Sequence, residues 1–406
     1  MQFYDVIGQQ PIKDKLIQMV QQNRLSHALL FLGKEGTGAL PLALAFAQYV
    51  TCIHNPLQAT TTKHNAPLTS GSMFADAPTQ SDTNTAFTAA CGKCPACTKA
   101  SKLVHPDIHY CYPVIPRKQG DKPISTDFIA PWRQFVLTQP NGNAYDWLQS
   151  IDAENKQGNI TAEECNDIIR KISLKSFESA FKILIIWMPE MLGKNGNKLL
   201  KLIEEPPPDT LFILVAENEA LILPTILSRT QLIKIPILQQ SDIAQALVAY
   251  QGISLVKANQ IAALADGNYR EALQLLLHAD DNYELLLRNW LNAIIKKNLP
   301  AQLKWIEDAA KMGREKQKQF FKYFIHTIQQ SIRQSVLPHA LSNAEAQDLA
   351  NRLNKLCTID QHEAIADQLQ KATYYIERNA NPKLLFHALT IRLYHIISNK
   401  SLILIQ

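Results

Sequence analysis

Three groups of residues in this 406-residue chain have types and spacings that can do chemistry. The first is Gly33-Lys34-Glu35-Gly36-Thr37-Gly38-Ala39-Leu40, which follows an apolar run (Ala28 to Leu32) and precedes a helical pattern starting near Pro41. Strand, glycine-rich turn and helix are the parts of a phosphate-cradling P-loop, G-x-x-x-x-G-K-[ST]. Gly33, Gly36 and Gly38 stand, but Ala39 takes the lysine position and Leu40 the hydroxyl position. The lysine would reach the terminal phosphates and the hydroxyl would hold magnesium. What is left is either a backbone cradle for an anion at a helix N-terminus or a plain strand-to-helix corner.

The carboxylates that such a site needs after its third strand, one for magnesium and one to orient water, are missing too. The chain reads Ile185-Ile186-Trp187-Met188-Pro189-Glu190, with Glu190 offset past a proline. Two separate losses in one site make intrinsic hydrolysis an unexpected activity. The second group is Ser228-Arg229, in a turn after the fourth expected strand, where a sheet edge can expose Arg229 to a neighbouring molecule. A guanidinium aimed at another subunit's terminal phosphate raises rates by on the order of 10³–10⁵; an ordinary surface arginine is the plainer reading. The third group is Cys91, Cys94 and Cys97, each two residues apart, among seven cysteines that include Cys52, Cys111, Cys165 and Cys357. That uneven distribution suits a metal site plus buried free thiols better than a disulfide framework.

These groups need a scaffold. Helical spacing is expected from Pro11 to Gln22, and strands at Ala28 to Leu32, Ile108 to Tyr112, Phe181 to Trp187, Thr210 to Val215 and Gln231 to Ile235. The third is continuously apolar, as a strand buried on both faces is. Helices are expected at Ala39 to Val50, from the Thr161-Ala162-Glu163-Glu164 capping box to about Ile172, and from Asn195 to Glu205, where three prolines stop it. Strands alternating with helices argue for a parallel α/β sheet. Residues 53–90 are polar and poor in large apolar side chains, so they read as a flexible insertion. A second, irregular insertion, partly folded and packed on the core, is expected at about 113–158, with Trp132, Phe135, Trp147 and Leu148 to bury. After Pro236 only helical patterns follow: Ser241 to Tyr250, Ser254 to Ala265, Arg270 to Ala279, then others around Leu287, Phe321, Leu349, Ile365 and Leu385. Asn381-Pro382 is a good start for the last.

Apolar content of 46% is ample for buried cores, and a net charge of +5 permits nucleic-acid contact without arguing for it. With no secretory pattern at Met1-Gln2-Phe3-Tyr4-Asp5 and no apolar run of membrane-spanning length, a soluble cytoplasmic protein without membrane contact is expected.

Taken in order, Arg24 to Phe31, the degraded P-loop, the cysteine cluster, His105-Pro106-Asp107, Asn197 through Glu204-Glu205-Pro206-Pro207 and Ser228-Arg229 resemble the delta-prime subunits of bacterial DNA polymerase III clamp loaders, in the AAA+ superfamily. The resemblance covers about residues 1–280 by motif and the helical tail in general form. It implies a P-loop NTPase-like α/β domain with a zinc module over 1–237, a helical lid over 238–280 and an all-α collar over 281–406. It also implies a hetero-pentameric ring with motor and delta-type subunits, acting with a sliding clamp and primer-template DNA. Such a subunit is not an ATPase; ATP sits at the neighbour, to which Arg229, with Ser228 beside it, is lent. The family's motif has cysteine after the arginine where this chain has Thr230. The family's zinc ligands fall on Cys52, Cys91, Cys94 and Cys97, with a long polar insertion between the first two. Closing such a loop costs about a few kcal/mol, which structural zinc outweighs.

Arg270, in Gly267-Asn268-Tyr269-Arg270, resembles the arginine that approaches nucleotide phosphate from the lid; packing between domains is its other reading. Lys194, Lys198 and Lys201 fall on one face of the expected Asn195 helix. They can meet DNA phosphates or be simply solvated. Two rival functions are an active AAA+ ATPase with an atypical P-loop, and a zinc-stabilised nucleic-acid-binding protein.

Overall fold

The computed structural model describes residues 1–55, 57, 88–118, 120–153, 156–277, 283–336, 344–378 and 380–398. Most of the insertion expected at 53–90 lies outside them. The chain divides into two compact units, Met1–Ala272 and Leu273–Gln406.

The first unit is built on five parallel strands in the order β2-β3-β4-β1-β5: β1 Ala28–Gly33, β2 Ile108–Cys111, β3 Lys182–Trp187, β4 Thr210–Ala216 and β5 Gln231–Ile235. Its helices are α1 Gln10–Gln21, α2 Ala39–Thr51, α3 Pro95–Ser101, α4 Ile129–Thr138, α5 Ala144–Ser150, α6 Ala162–Ser173, α7 Leu200–Glu204, α8 Pro224–Leu227, α9 Gln240–Gln251 and α10 Leu255–Leu264, with the start of α11 Tyr269–Leu277, which runs across the boundary at Ala272. Every residue of β3 and β4 is buried, as helices on both faces of a parallel sheet require. The strand period of two divides those residues between the faces. Ile183, Ile185 and Trp187 join the layer that contains Phe46 of α2 and Trp132 of α4. Leu184 and Ile186 join the layer with Ile168 of α6 and Ile203 of α7.

Two expectations need correction. The 113–158 stretch packs on the core as expected but is more regular than expected: α4, α5 and a 3-10 turn at Ser125–Phe128 are ordered parts of the unit. Trp132 and Trp147 are fully buried, with Tyr112 stacked on Trp132 at 4.0 Å between ring centroids. Aromatic side chains of that size bring enough apolar area to fold the segment onto the sheet. Asn143 and Asp146 then start α5 with a reciprocal capping box. The second correction concerns Asn195 to Glu205, which is not one α-helix. A 3-10 stretch, Pro189–Leu199, broken at Gly193, leads into the single α-turn of α7. The Thr161 cap is half as expected. Its Oγ1 accepts the Glu164 N–H at 3.1 Å, but the Glu164 carboxylate accepts the Ser125 N–H instead of reaching back.

The second unit, among the described residues, is helical: α12 Tyr283–Ile295, α13 Leu299–Lys311, α14 Arg314–Val336, α15 Ala344–Leu356, α16 Ile359–Glu377 and α17 Pro382–Ser398. The five patterns expected there all fall on helices; α13, started by Asn298 and Pro300, is an additional one. Trp290 and Trp305 stack at 4.3 Å in its core, with Phe320, Phe321, Phe324 and Phe386. Asn381 caps α17 by accepting the N–H groups of Lys383 and Leu384.

Candidate functional site

The degraded P-loop joins β1 to α2 as expected, with Gly36 and Gly38 at positive φ of 71° and 84°. Gly36 is held to glycine twice over. Besides its φ, a Cβ there would stand 1.8 Å from the Asn268 Oδ1 atom. The turn therefore packs directly on the start of α11, and the Tyr269 N–H donates to the Gly36 carbonyl at 3.1 Å. Gln9, buried, donates its Nε2 to the Thr37 carbonyl at 3.0 Å and to the Pro236 carbonyl at 2.7 Å. The substituted Ala39 and Leu40 are buried.

The space that remains over this turn is about 30 Å³, bounded by the loop, by Pro140, Asn141 and Gly142, and by Trp187 and Glu217. That is room for about one water. Trp187, where a magnesium-binding carboxylate would stand, packs against Trp132 at 5.1 Å and Phe135 at 6.1 Å. Glu190 is turned to structural use: its Oε1 accepts the N–H groups of Glu217 and Asn218 at 2.6 and 2.8 Å. Burial, with Glu35 and Glu190 nearby, pushes the Glu217 carboxyl up to about 8. Arg270 is 4% exposed. Its Nε and Nη2 donate to the two Asp146 carboxylate oxygens, each at 2.5 Å, and its Nη1 to Glu35 at 3.0 Å.

Ser228 and Arg229 lie between α8 and the edge strand β5. Arg229 donates Nε to the Glu204 carboxylate at 3.1 Å, and Nη1 to the Thr225 carbonyl at 3.0 Å and the Ser228 hydroxyl at 3.4 Å. Its side chain is 31% exposed and that of Glu204 55%. Among the described residues Nη2 has no partner. Glu204 is the residue that the sequence reading missed: its motif was visible, its partner was not.

Cys52, at the end of α2, meets Cys91, Cys94 and Cys97 with all four sulfurs within 4.8 Å of one another. The Cys91–Cys97 separation is 3.9 Å, close to what sulfurs about 2.3 Å from a tetrahedral zinc must keep. The N–H groups of Cys91, Cys94 and Cys97 donate to the sulfurs of Cys52, Cys91 and Cys94, each at 3.4 Å. Such bonds favour thiolates. The hydrogen bond with Cys97 pulls the Cys52 thiol down to about 5, and the same contact pushes Cys97 up. Four soft donors at these distances fit zinc. Of the other thiols, Cys111 lies on β2, Cys165 on α6 and Cys357 in the helical core, all buried.

Lys194, Lys198 and Lys201 are exposed, but 3-10 geometry over the first two replaces the single helical face expected for the three. His105-Pro106-Asp107 serves the scaffold: the Asp107 carboxylate accepts the N–H groups of Phe177, Glu178 and Ser179 and fixes the loop before β3.

The family model described as "DNA polymerase III, delta subunit" matches residues 8–66 and 65–239. The chain belongs to this family of DNA polymerase III clamp-loader subunits. Among its relatives, DNA polymerase III subunit tau of Bacillus subtilis is 28% identical over 68% of this chain and 37% of its own length. The delta' subunit of the same organism is 26% identical over 64% of this chain and 56% of its own. The chain thus spans between a third and little more than half of these relatives. A gamma subunit-related protein of Thermotoga maritima superposes with a TM-score of 0.37 at 13% identity, over 94% of this chain and 98% of its own. The fold rests on the parallel sheet order and the helical second unit rather than on that likeness. No helix among the described residues is long and apolar enough to cross a membrane.

Proposed function

We propose that this chain is a non-hydrolysing, delta-prime-like member of a clamp-loader ring, lending Arg229 in trans to the ATP bound by a neighbouring motor subunit. The observation that carries this reading is the contrast in accessibility. The chain's own P-loop corner has room for about one water, whereas Arg229 stands partly exposed beside an edge strand with a hydrogen-bonding nitrogen unpartnered among the described residues. A guanidinium supplied from outside a phosphoryl-transfer site needs only to arrive with its charge, so Thr230 in place of cysteine matters little. Ser228 and Glu204 hold it until a phosphate takes over.

In this reading residues 1–237 form the AAA+ domain, 238–280 the lid and 281–406 the collar that holds the ring. The ring of motor and delta-type subunits acts on a sliding clamp and primer-template DNA. Zinc on Cys52, Cys91, Cys94 and Cys97 is structural and supplies no reaction step. The exposure of Lys194, Lys198 and Lys201 supports a phosphate contact made in the assembled complex. Reversing all three charges should then weaken DNA stimulation of the loader.

Two assays test the reading. The purified chain alone should release no phosphate from ATP above background. In the reconstituted ring, Arg229→Ala should leave assembly intact and lower DNA-stimulated turnover. Robust turnover by the chain alone, abolished by changing Gly38, would support an active ATPase instead. Tight DNA binding by the isolated chain would support the nucleic-acid-binding alternative.

A further inference from the structure

Arg270 is more than nine-tenths buried beside a glycine-rich turn shaped for phosphate, yet its guanidinium is already engaged as an anion would engage it. The two Asp146 oxygens meet Nε and Nη2 in a forked pair, each at 2.5 Å. Paired parallel bonds of this kind are how arginine grips carboxylate and phosphate alike. Asp146 is aimed by its own helix start, since the Asn143 N–H donates to Asp146 Oδ2 at 3.1 Å and Asn143 Oδ1 accepts the Asp146 N–H at 2.9 Å. Glu35, inside the P-loop, takes the remaining Nη1 at 3.0 Å. The segment that delivers Asp146 also places Pro140, Asn141 and Gly142 over the turn. A polyphosphate entering here would have to displace one carboxylate and lie beside another.

We propose that Asp146 is a built-in phosphate surrogate: it latches the start of α11 to the degraded P-loop and keeps that corner closed without nucleotide. The latch has three parts, the Asp146–Arg270–Glu35 cluster, the Tyr269-to-Gly36 backbone bond and the Asn268 contact at Gly36. Its consequence is that the start of α11 no longer responds to phosphate, as an arginine left unpaired would make it do. The inference does not depend on Arg229 and stands whether or not that residue acts in trans.

Amide hydrogen exchange on the full-length protein tests it, with inorganic tripolyphosphate as the probe. In the unaltered protein, millimolar tripolyphosphate should leave the exchange of residues 268–272 unchanged. Asp146→Asn, which keeps the shape and removes the charge, should speed exchange there by about tenfold, the factor that ~1.4 kcal/mol corresponds to. Tripolyphosphate should then restore protection, and adding Arg270→Gln to Asp146→Asn should abolish that rescue. Protection of 268–272 in Asp146→Asn equal to that of the unaltered protein, or no rescue by tripolyphosphate, overturns the latch. So does slowed exchange on adding tripolyphosphate to the unaltered protein, a measurement that needs no variant to fold.

Discussion

The corner at the ends of β1, β3 and β4 and the corner before β5 are both places where a P-loop fold handles phosphate, and this chain treats them in opposite ways. At the first, the groups that stand in for phosphate chemistry turn inward. Trp187 joins an aromatic cluster, Ala39 and Leu40 are buried, and Arg270 is closed on Asp146 and Glu35. At the second, Arg229 is held by an exposed carboxylate and a carbonyl and remains partly open. A buried ion pair resists breaking because removing either partner strands the other charge. A partly exposed one is worth about 0–1 kcal/mol and exchanges partners cheaply. The difference between the two arginines is therefore one of commitment: Arg270 has a permanent anion, and Arg229 a temporary one.

The largest effect that can separate the corners comes from the cysteine cluster. Helix α2 begins at Gly38 of the inward corner and ends at Cys52, so loss of zinc should loosen the first corner from behind. Structural zinc contributes on the order of 10 kcal/mol of binding free energy in small domains. Chelation, or Cys97→Ser, should lower the melting temperature of the first unit and speed exchange along α2; unchanged melting with zinc demonstrably removed would detach the cluster from the corner. Next in size is Trp187→Ala, which removes the sheet side of the aromatic cluster, against Trp132 and Phe135, and should cost about 3–5 kcal/mol in denaturant unfolding. If the variant keeps its stability, the inward corner is not the packed core described. Smaller again is Glu204→Ala, which frees Arg229 from its holding partner. It should change stability by under about 1 kcal/mol while altering the salt dependence of ring turnover; a large loss of stability would mean that Glu204 is a core strut rather than a holder.

The last effect is read as a slope in pH rather than as a loss at one pH. The Glu217 carboxyl is pushed up to about 8 by burial and by Glu35 and Glu190, against about 4.3 in an unfolded chain. Between those values the folded protein keeps a proton that the unfolded chain releases, so stability falls as pH rises through that window. Glu217→Gln should flatten the fall, read from denaturant midpoints at pH 5 and pH 8 (about one pH unit inside the window at the acid end). An unaltered slope would remove Glu217 from the inward cluster.

Much of this contrast was legible in the residues. Local rules placed all five strands, because apolar runs such as Ile183 to Trp187 and the glycines at Gly33, Gly36 and Gly38 carry their meaning within a few positions. Cys91, Cys94 and Cys97 were legible by their spacing, whereas Cys52, 39 residues before Cys91, was assigned through the family resemblance. Long-range pairing was not legible. Nothing near Asp146 indicates that Arg270, 124 residues away, is its partner, and nothing near Glu204 indicates Arg229. The regularity of the 113–158 stretch was underestimated for the same reason: its packing on the core was legible from its aromatic residues, but the partners that order it, Tyr112 for both Trp132 and Trp147, and Trp187 for Trp132, lie outside it. The 3-10 geometry that runs to Leu199 was hidden by the helical spacing of Lys194, Lys198 and Lys201.

The most direct test of the account is ATP turnover in the reconstituted, DNA-stimulated ring carrying Arg229→Ala, with assembly verified on the same sample. At the neighbouring site that Arg229 is proposed to serve, the account predicts a fall on the order of 10³ or more, with Arg270→Gln leaving that site far less affected. Turnover at that site unchanged by Arg229→Ala in a fully assembled ring would contradict it.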